Sequence, residues 1–213
     1  MIAQARRESC QQACIAAGVP CKHRRVNEPR VAVVVGVGGG LGAAVARRFA
    51  REGHSVAAIA RNRAALEPIA ADIAAAGGRA LPVAADATDP GAVAEAFAEV
   101  RRELGPPGVL VYNAGAFQVG GVLELSPDQF ERAWKANCYG AFLAARALAQ
   151  SLAREHGPDG VHVAHVVIDG QIAGGAPNRL SPDALATEYW NLHAQDPTTW
   201  TLELDLRPAV ERF

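Results

Sequence analysis

A run of glycines between a strand pattern and a helical pattern constrains this chain most strongly. The residues VAVVV at 31–35 predict a strand buried on both faces, and five of the next seven residues are glycine. A helical pattern then places Ala44, Val45 and Phe49 on one face. Glycine lets the backbone approach a pyrophosphate, and a helix N-terminus directs amides at it. We therefore expect a dinucleotide site here. Its cofactor-binding residues would be Gly36, Gly38, Gly40, Leu41 and Gly42. The alternative is a tight turn that holds no ligand.

Length, charge and cysteine usage exclude several classes of protein. A chain of 213 residues with 50% hydrophobic residues and a net charge of −1 predicts one domain with a sizeable core. A net charge near zero does not indicate binding to nucleic acid or to a membrane surface. No apolar run reaches the roughly 18 residues that are needed to span a bilayer. Four scattered cysteines match neither a disulfide framework nor a zinc pattern. We expect a cytoplasmic protein without a metal.

The segment at 1–30 precedes the first strand and is expected to be a poorly ordered extension. It contains Arg6, Arg7, Arg24 and Arg25 but lacks an apolar core of signal-peptide length. An organellar presequence and a start site assigned too early are the open alternatives. We expect one domain over 31–213.

Strand and helix patterns alternate along the rest of the chain. Parallel strands joined by helices require right-handed crossovers, so the alternation predicts an α/β fold with a doubly wound, Rossmann-like parallel sheet of six strands. Ser126, Pro127 and Gln129 have the spacing of a capping box at the start of a long helix. Phe130, Trp134, Cys138 and Phe142 form its apolar stripe. The predicted strands are 31–35, 55–60, 80–84, 109–112, 161–168 and 200–206, and the helices after the first are 66–73, 90–104, 126–156 and 181–195.

Four further features accompany the glycine turn and support a family resemblance. Asp86 ends the third strand, and Tyr112-Asn113-Ala114-Gly115 ends the fourth. Asn137 lies within the long helix, and Ile168-Asp169-Gly170 follows the fifth strand. Together these features resemble the short-chain dehydrogenases/reductases over about 31–213. Val35 and Tyr112 depart from the family, which usually has Thr and Asn at these positions.

The resemblance implies a role for each matching residue. Asp86 would contact the adenine. Asn113, Ala114 and Gly115 would stabilise the central strand and line the cofactor site. Asn137 matches the family's catalytic Asn, which helps to hold a proton-relay water. Gly170 stands where the family has Pro-Gly beside the nicotinamide.

The end of the second strand bears on which nicotinamide cofactor is bound. An acidic residue there would accept hydrogen bonds from a ribose 2′-hydroxyl and favour NAD, but this chain has Ala60 followed by Arg61. Arginine pairs with a 2′-phosphate, so we expect NADP, with NAD as the alternative. An ordinary surface arginine is the other interpretation of Arg61.

The acid/base pair of the resembled family is missing from this chain. That reaction uses a Tyr with a Lys four residues later, because a phenol with a pKa near 10 is a poor base without a nearby cation. The only lysines are Lys22 and Lys135, and the residues four positions earlier are Gly18 and Glu131. We infer that one helix–strand–helix unit, with the family's Ser, is deleted. The strand at 161–168 is then expected to fill the vacated slot beside the strand at 109–112, which would bring Asp169 and Gln171 near the position of the Ser.

These observations predict an NADP-dependent oxidoreductase of impaired activity. The implied reaction is hydride transfer at the carbonyl or alcohol of a small-molecule substrate. The reversed pair Lys135 and Tyr139, and the pair Tyr189 and His193, share helix faces but lack the strand-anchored setting of the usual phenol. The alternative is a non-catalytic NADP-binding or subunit-pairing module, with a homo-oligomer left open.

Overall fold

The structure, a computed structural model, describes residues 30–121, 123–155, 162, 164–173 and 179–208. Of the expected N-terminal extension at 1–30, all but Arg30 lies outside the described residues. None of the described helices is both long enough and apolar enough to cross a bilayer.

Four parallel strands form the main sheet, in the order β3-β2-β1-β4. The central strand β1 is buried along its whole length, and its Val33 is in register with both Ala57 and Leu110. This burial agrees with the unbroken apolar run that predicted the strand. The strands are β1 (Val31–Val35), β2 (Ser55–Ala60), β3 (Arg79–Ala84) and β4 (Pro107–Tyr112).

Helices cover both faces of this sheet, which confirms the predicted doubly wound α/β fold. One face packs on α1, α2 and α6, with Phe49, Ile69 and Leu185 in the core. The other face packs on α3 and α5 through Phe97 and Leu143. The helices are α1 (Leu41–Arg51), α2 (Glu67–Ala75), α3 (Pro90–Glu103), α4 (Pro127–Trp134), α5 (Gly140–Glu155) and α6 (Pro182–His193), with 3₁₀ turns at Arg63–Ala65 and Pro197–Thr199.

The six strands in the described part of the chain lie in two sheets, so the expected single six-stranded sheet is wrong. The fifth strand, β5 (His165–Ile168), pairs in parallel with β6 (Glu203–Leu206) and not with β4. The expectation that β5 fills the slot beside β4 is therefore also wrong. β5 and β6 pair with each other over four residues in register, and Ile168 and Leu206 pack on the core that contains α6. Helix α6 is in turn fixed on α1. Of the predicted strand at 161–168, residues 161 and 163 lie outside the described part.

The predicted long helix is interrupted by a π-helical turn at Lys135–Tyr139. Its start is as predicted, because the amide of Gln129 donates to Ser126 Oγ and the amide of Ser126 donates to Gln129 Oε1. A π turn takes one more residue than an α turn and so rotates the helix faces on either side of it. The expected apolar stripe faces solvent on both sides of this turn, at Phe130, Trp134, Cys138 and Phe142. The predicted helix end at His156 lies outside the described residues.

Candidate functional site

Two glycines of the turn are required by the close approach of backbone to backbone. Gly36 has φ +87°, and a Cβ there would lie 2.5 Å from Cα of Ala114. A Cβ at Gly42 would lie 2.5 Å from the carbonyl oxygen of Gly36. These contacts bring β1, α1 and the loop after β4 to one point. A side chain at either position would push them apart.

The glycines between them have no such packing reason. A Cβ on Gly38, Gly39 or Gly40 would meet no atom within 4 Å. Helix α1 begins after Gly40 with no side-chain cap and no acidic residue in its first turn. The amides of Leu41 and Gly42 have no hydrogen-bond partner among the described residues. Open space in front of uncapped helix amides fits an anionic group such as a pyrophosphate.

The loop after β4 is bonded directly to this turn. The Asn113 amide donates to the carbonyl of Val35 at 2.8 Å, and Asn113 Nδ2 donates to the carbonyl of Gly36 at 3.0 Å. Ala114 lies against Gly36, as described above. The structure thus brings the predicted Asn113 and Ala114 to the glycine turn, and the side chain of Asn113 ties the two segments together.

Asn137 reaches the same loop from the π-helical turn. Its Nδ2 donates to the carbonyl of Ala116 at 2.9 Å, and its Oδ1 accepts the Ala116 amide at 3.0 Å. A Cβ at Gly115 would lie 3.0 Å from that same Oδ1. Both polar atoms of the Asn137 side chain are therefore used to hold the loop, and Gly115 leaves room for them.

Asp86 and Arg61 lie at the carboxyl ends of neighbouring strands. Asp86 Oδ1 accepts both the amide and the hydroxyl of Thr88, each at 2.8 Å. These two donors lower the pKa of Asp86, and the nearby Arg61 guanidinium lowers it further. Asp86 is therefore a carboxylate at neutral pH. The Asp86 carboxylate and the exposed Arg61 guanidinium thus lie at the carboxyl ends of the parallel strands. Ligands of doubly wound sheets bind at this edge.

Gly170 lies in the loop that follows β5. It has φ +152°, and a Cβ there would lie 2.9 Å from Cδ of Pro208. The neighbouring Asp169 carboxylate pairs with Arg207 at 3.6 Å. No hydrogen bond in the described part of the chain joins Gly170 to the glycine turn. Its role beside the nicotinamide stays a prediction.

Three residues of the candidate replacement pairs, Lys135, Tyr139 and Tyr189, are held in settings that do not suit acid/base chemistry. Lys135 is ion-paired with Glu131 at 2.7 Å, and this contact raises the pKa of Lys135. Tyr139 stacks between Trp134 and Phe142. Burial raises the pKa of Tyr189, so its hydroxyl stays protonated at neutral pH and no phenolate is available to accept a proton. A general base needs the opposite shift.

Comparison with known proteins identifies the family. A family model described as short chain dehydrogenase matches residues 30–172. The chain belongs to the short-chain dehydrogenase family. The resemblance drawn from the sequence motifs is thereby confirmed.

Two curated proteins are similar in sequence to part of this chain. The first is 40% identical over 145 residues, 68% of this chain and 24% of its own length: "Probable oxidoreductase EphD" of Mycobacterium tuberculosis (strain ATCC 25618 / H37Rv). The second is 34% identical over 123 residues, 58% of this chain and 47% of its own length: "2,3-dihydro-2,3-dihydroxybenzoate dehydrogenase" of Bacillus subtilis (strain 168). The chain thus spans less than half the length of either relative.

Solved structures share the fold. A short-chain dehydrogenase from Rhodopseudomonas palustris has a TM-score of 0.72 at 29% identity, with 84% of this chain and 98% of that chain covered. An alcohol dehydrogenase from the archaeon Thermococcus sibiricus, complexed with 5-hydroxy-NADP, has a TM-score of 0.78 at 24% identity, with 87% and 99% covered. The second likeness shows the fold alone.

Replacing Gly36 by Ala is expected to destabilise the protein by about 1–3 kcal/mol or more, because the φ of Gly36 is strained for Ala and the new Cβ meets Ala114. Chemical denaturation measures the free energy of unfolding. Gly39→Ala is the matched control, since its Cβ meets nothing. Equal stability of the two variants would contradict the close approach at Gly36.

Replacing Thr88 by Val is expected to raise the pKa of Asp86 towards its ordinary value of 3.8, because one of its donors is lost. The pKa of Asp86 is lower in the folded chain than in the unfolded chain. The contacts of its carboxylate therefore stabilise the fold at pH values above the unfolded-state pKa, and this stabilisation is lost as the pH falls through the folded-state pKa. The variant should therefore be less stable at neutral pH and match the wild type at pH values below both.

Carbon-13 NMR titration of the Asp86 carboxyl group measures the shift. Thr198→Val is the control, because Thr198 bonds Asp196 in the same way elsewhere in the chain. That variant should move the pKa of Asp196 alone. An Asp86 titration that is unchanged in Thr88→Val would show that the hydroxyl contact does not form.

Proposed function

We propose that this chain binds NADP(H) through its glycine turn and is the dinucleotide-binding part of a short-chain oxidoreductase. The observation that carries the proposal is the open space at Gly38, Gly39 and Gly40 in front of an uncapped helix. Family membership supports the same ligand class, since a dinucleotide at this kind of turn is common to Rossmann-like folds.

The residues around the turn fit the parts of such a cofactor. The amides of Leu41 and Gly42 would donate to the pyrophosphate. The Asp86 carboxylate would accept a hydrogen bond from the adenine amino group. Arg61 would pair with the 2′-phosphate and favour NADP over NAD. The 5-hydroxy-NADP complex of the Thermococcus sibiricus enzyme is consistent with this preference in a protein of the same fold.

The proposed reaction is hydride transfer between the nicotinamide and the carbonyl or alcohol of a small molecule. The bound cofactor would supply the hydride, and the protein would have to supply the proton. The sequence has no Tyr with a Lys four residues later, and Lys135 is already ion-paired with Glu131. Loss of positioned proton transfer costs on the order of 10²–10⁴ in rate, so we propose impaired turnover.

Subunit pairing is the second candidate function. Three large aromatic side chains of the α4–π–α5 helix face solvent, with exposed fractions of 67% for Phe130, 46% for Trp134 and 55% for Phe142. Such an apolar face favours an interaction surface.

Under either function we propose a reducing, cytoplasmic setting, which is supported by an exposed free thiol at Cys138.

Replacing Arg61 by Ala is expected to weaken NADPH binding roughly 10- to 100-fold, because charge-assisted hydrogen bonds of about 1.5–3 kcal/mol to the phosphate are lost. NADH binding should change little. Fluorescence titration with both cofactors measures the two dissociation constants.

Arg63→Ala is the matched control, because it removes a positive charge only two residues from Arg61. The Arg63 side chain is already ion-paired with Glu67 at 3.2 Å. NADPH affinity that is equal in both variants would rule out Arg61 as the phosphate partner. Folded wild-type protein that binds neither cofactor would rule out the proposed function.

A further inference from the structure

The π-helical turn leaves one backbone carbonyl without its usual donor. The amide of Gly140 donates to the carbonyl of Lys135, five residues back. In an α-helix that amide would bond the carbonyl of Ala136 instead. The carbonyl of Ala136 is therefore open to a donor from outside the helix.

Tyr112 supplies that partner from the end of β4. Its hydroxyl donates to the carbonyl oxygen of Ala136 at 2.5 Å. The fit depends on Gly140, since a Cβ there would overlap the Tyr112 hydroxyl. Burial raises the pKa of Tyr112, and the neighbouring Asp86 carboxylate raises it further. The hydroxyl is therefore protonated, and able to donate, at neutral pH.

The same turn carries Asn137, which holds the backbone of Ala116. Asn137 thus anchors the loop after β4. The residue before it, Ala136, accepts a hydrogen bond from Tyr112, the last residue of β4. Both contacts fix the loop whose Asn113 bonds the glycine turn. The Tyr112 hydroxyl therefore lies at the start of a chain of contacts that ends at the cofactor cradle.

We propose that Tyr112 is a positioning residue: its hydroxyl fixes the π-helical turn, and through Asn137 it holds residues 113–116 against the glycine turn. The proposal rests on the proposed function only for its consequence in cofactor binding. Its structural part concerns the chain without any ligand. A tyrosine whose ring only fills space is the competing interpretation, and that interpretation predicts no effect of removing the hydroxyl.

The test compares Tyr112→Phe with Tyr139→Phe. Each variant removes one hydroxyl and keeps the ring, and Tyr139 has no hydrogen-bond partner among the described residues. Hydrogen exchange measured by mass spectrometry on the full chain reports local opening. We expect Tyr112→Phe to speed exchange about tenfold in the peptides covering 113–117 and 134–141, with β1 and α1 unchanged.

Tyr139→Phe should leave all of these peptides as in the wild type. The proposal is overturned if Tyr112→Phe changes no peptide, or if it speeds exchange equally throughout the chain. A general loss of stability would produce the second result, and denaturation curves of both variants would show it directly.

NADPH titration tests the consequence for binding. We expect Tyr112→Phe and Asn137→Ala each to weaken NADPH binding severalfold. The double variant should bind no worse than Asn137→Ala alone, because both substitutions release the same loop. Additive losses would overturn the route through Asn137. If the wild type binds no NADPH while the exchange pattern holds, the proposed function fails and the positioning of the loop by Tyr112 stands.

Discussion

The contact between Gly36 and the loop after β4 determines the shape of the candidate site. At this point the first strand, the first helix and the fourth strand meet within van der Waals distance of one another's backbones. Asn113 closes the contact with a hydrogen bond to the carbonyl of Gly36. Nothing larger than glycine fits there. The open glycines that follow then face away from the protein, where they leave room for a ligand.

The second constraint is the packing of α6 on α1. Arg48 donates to the hydroxyl of Thr187 at 2.8 Å, and the rings of Phe49 and Trp190 meet edge to face at 5.4 Å. This packing fixes α6, and β5 and β6 share its hydrophobic core. The smaller sheet pairs with itself and not with β4. The four-stranded sheet thus carries the glycine turn, and the sequence has no Tyr that is followed four residues later by a Lys.

Sequence patterns predicted the dinucleotide half well because its determinants are local. The strand at 31–35, the glycine turn and the capping box at Ser126 each depend on residues that are neighbours in the chain. The strand pairing of β5 was not predictable in this way, since it depends on long-range packing against α6. The π turn at Lys135–Tyr139 and the solvent-facing position of Phe130 were also missed, since helical periodicity reveals neither of them. The one available signal for Tyr112 was its departure from the family's Asn.

We propose that the glycine turn still holds a dinucleotide in a chain that has no Tyr with a Lys four residues later. Phosphorus-31 NMR of NADP⁺ titrated with the purified protein tests this claim most directly, because the pyrophosphate and the 2′-phosphate give separate resonances. We expect both signals to shift or broaden saturably, because the pyrophosphate would contact the amides of Leu41 and Gly42 and the 2′-phosphate would contact Arg61. Unchanged phosphorus signals in the presence of folded protein would contradict it.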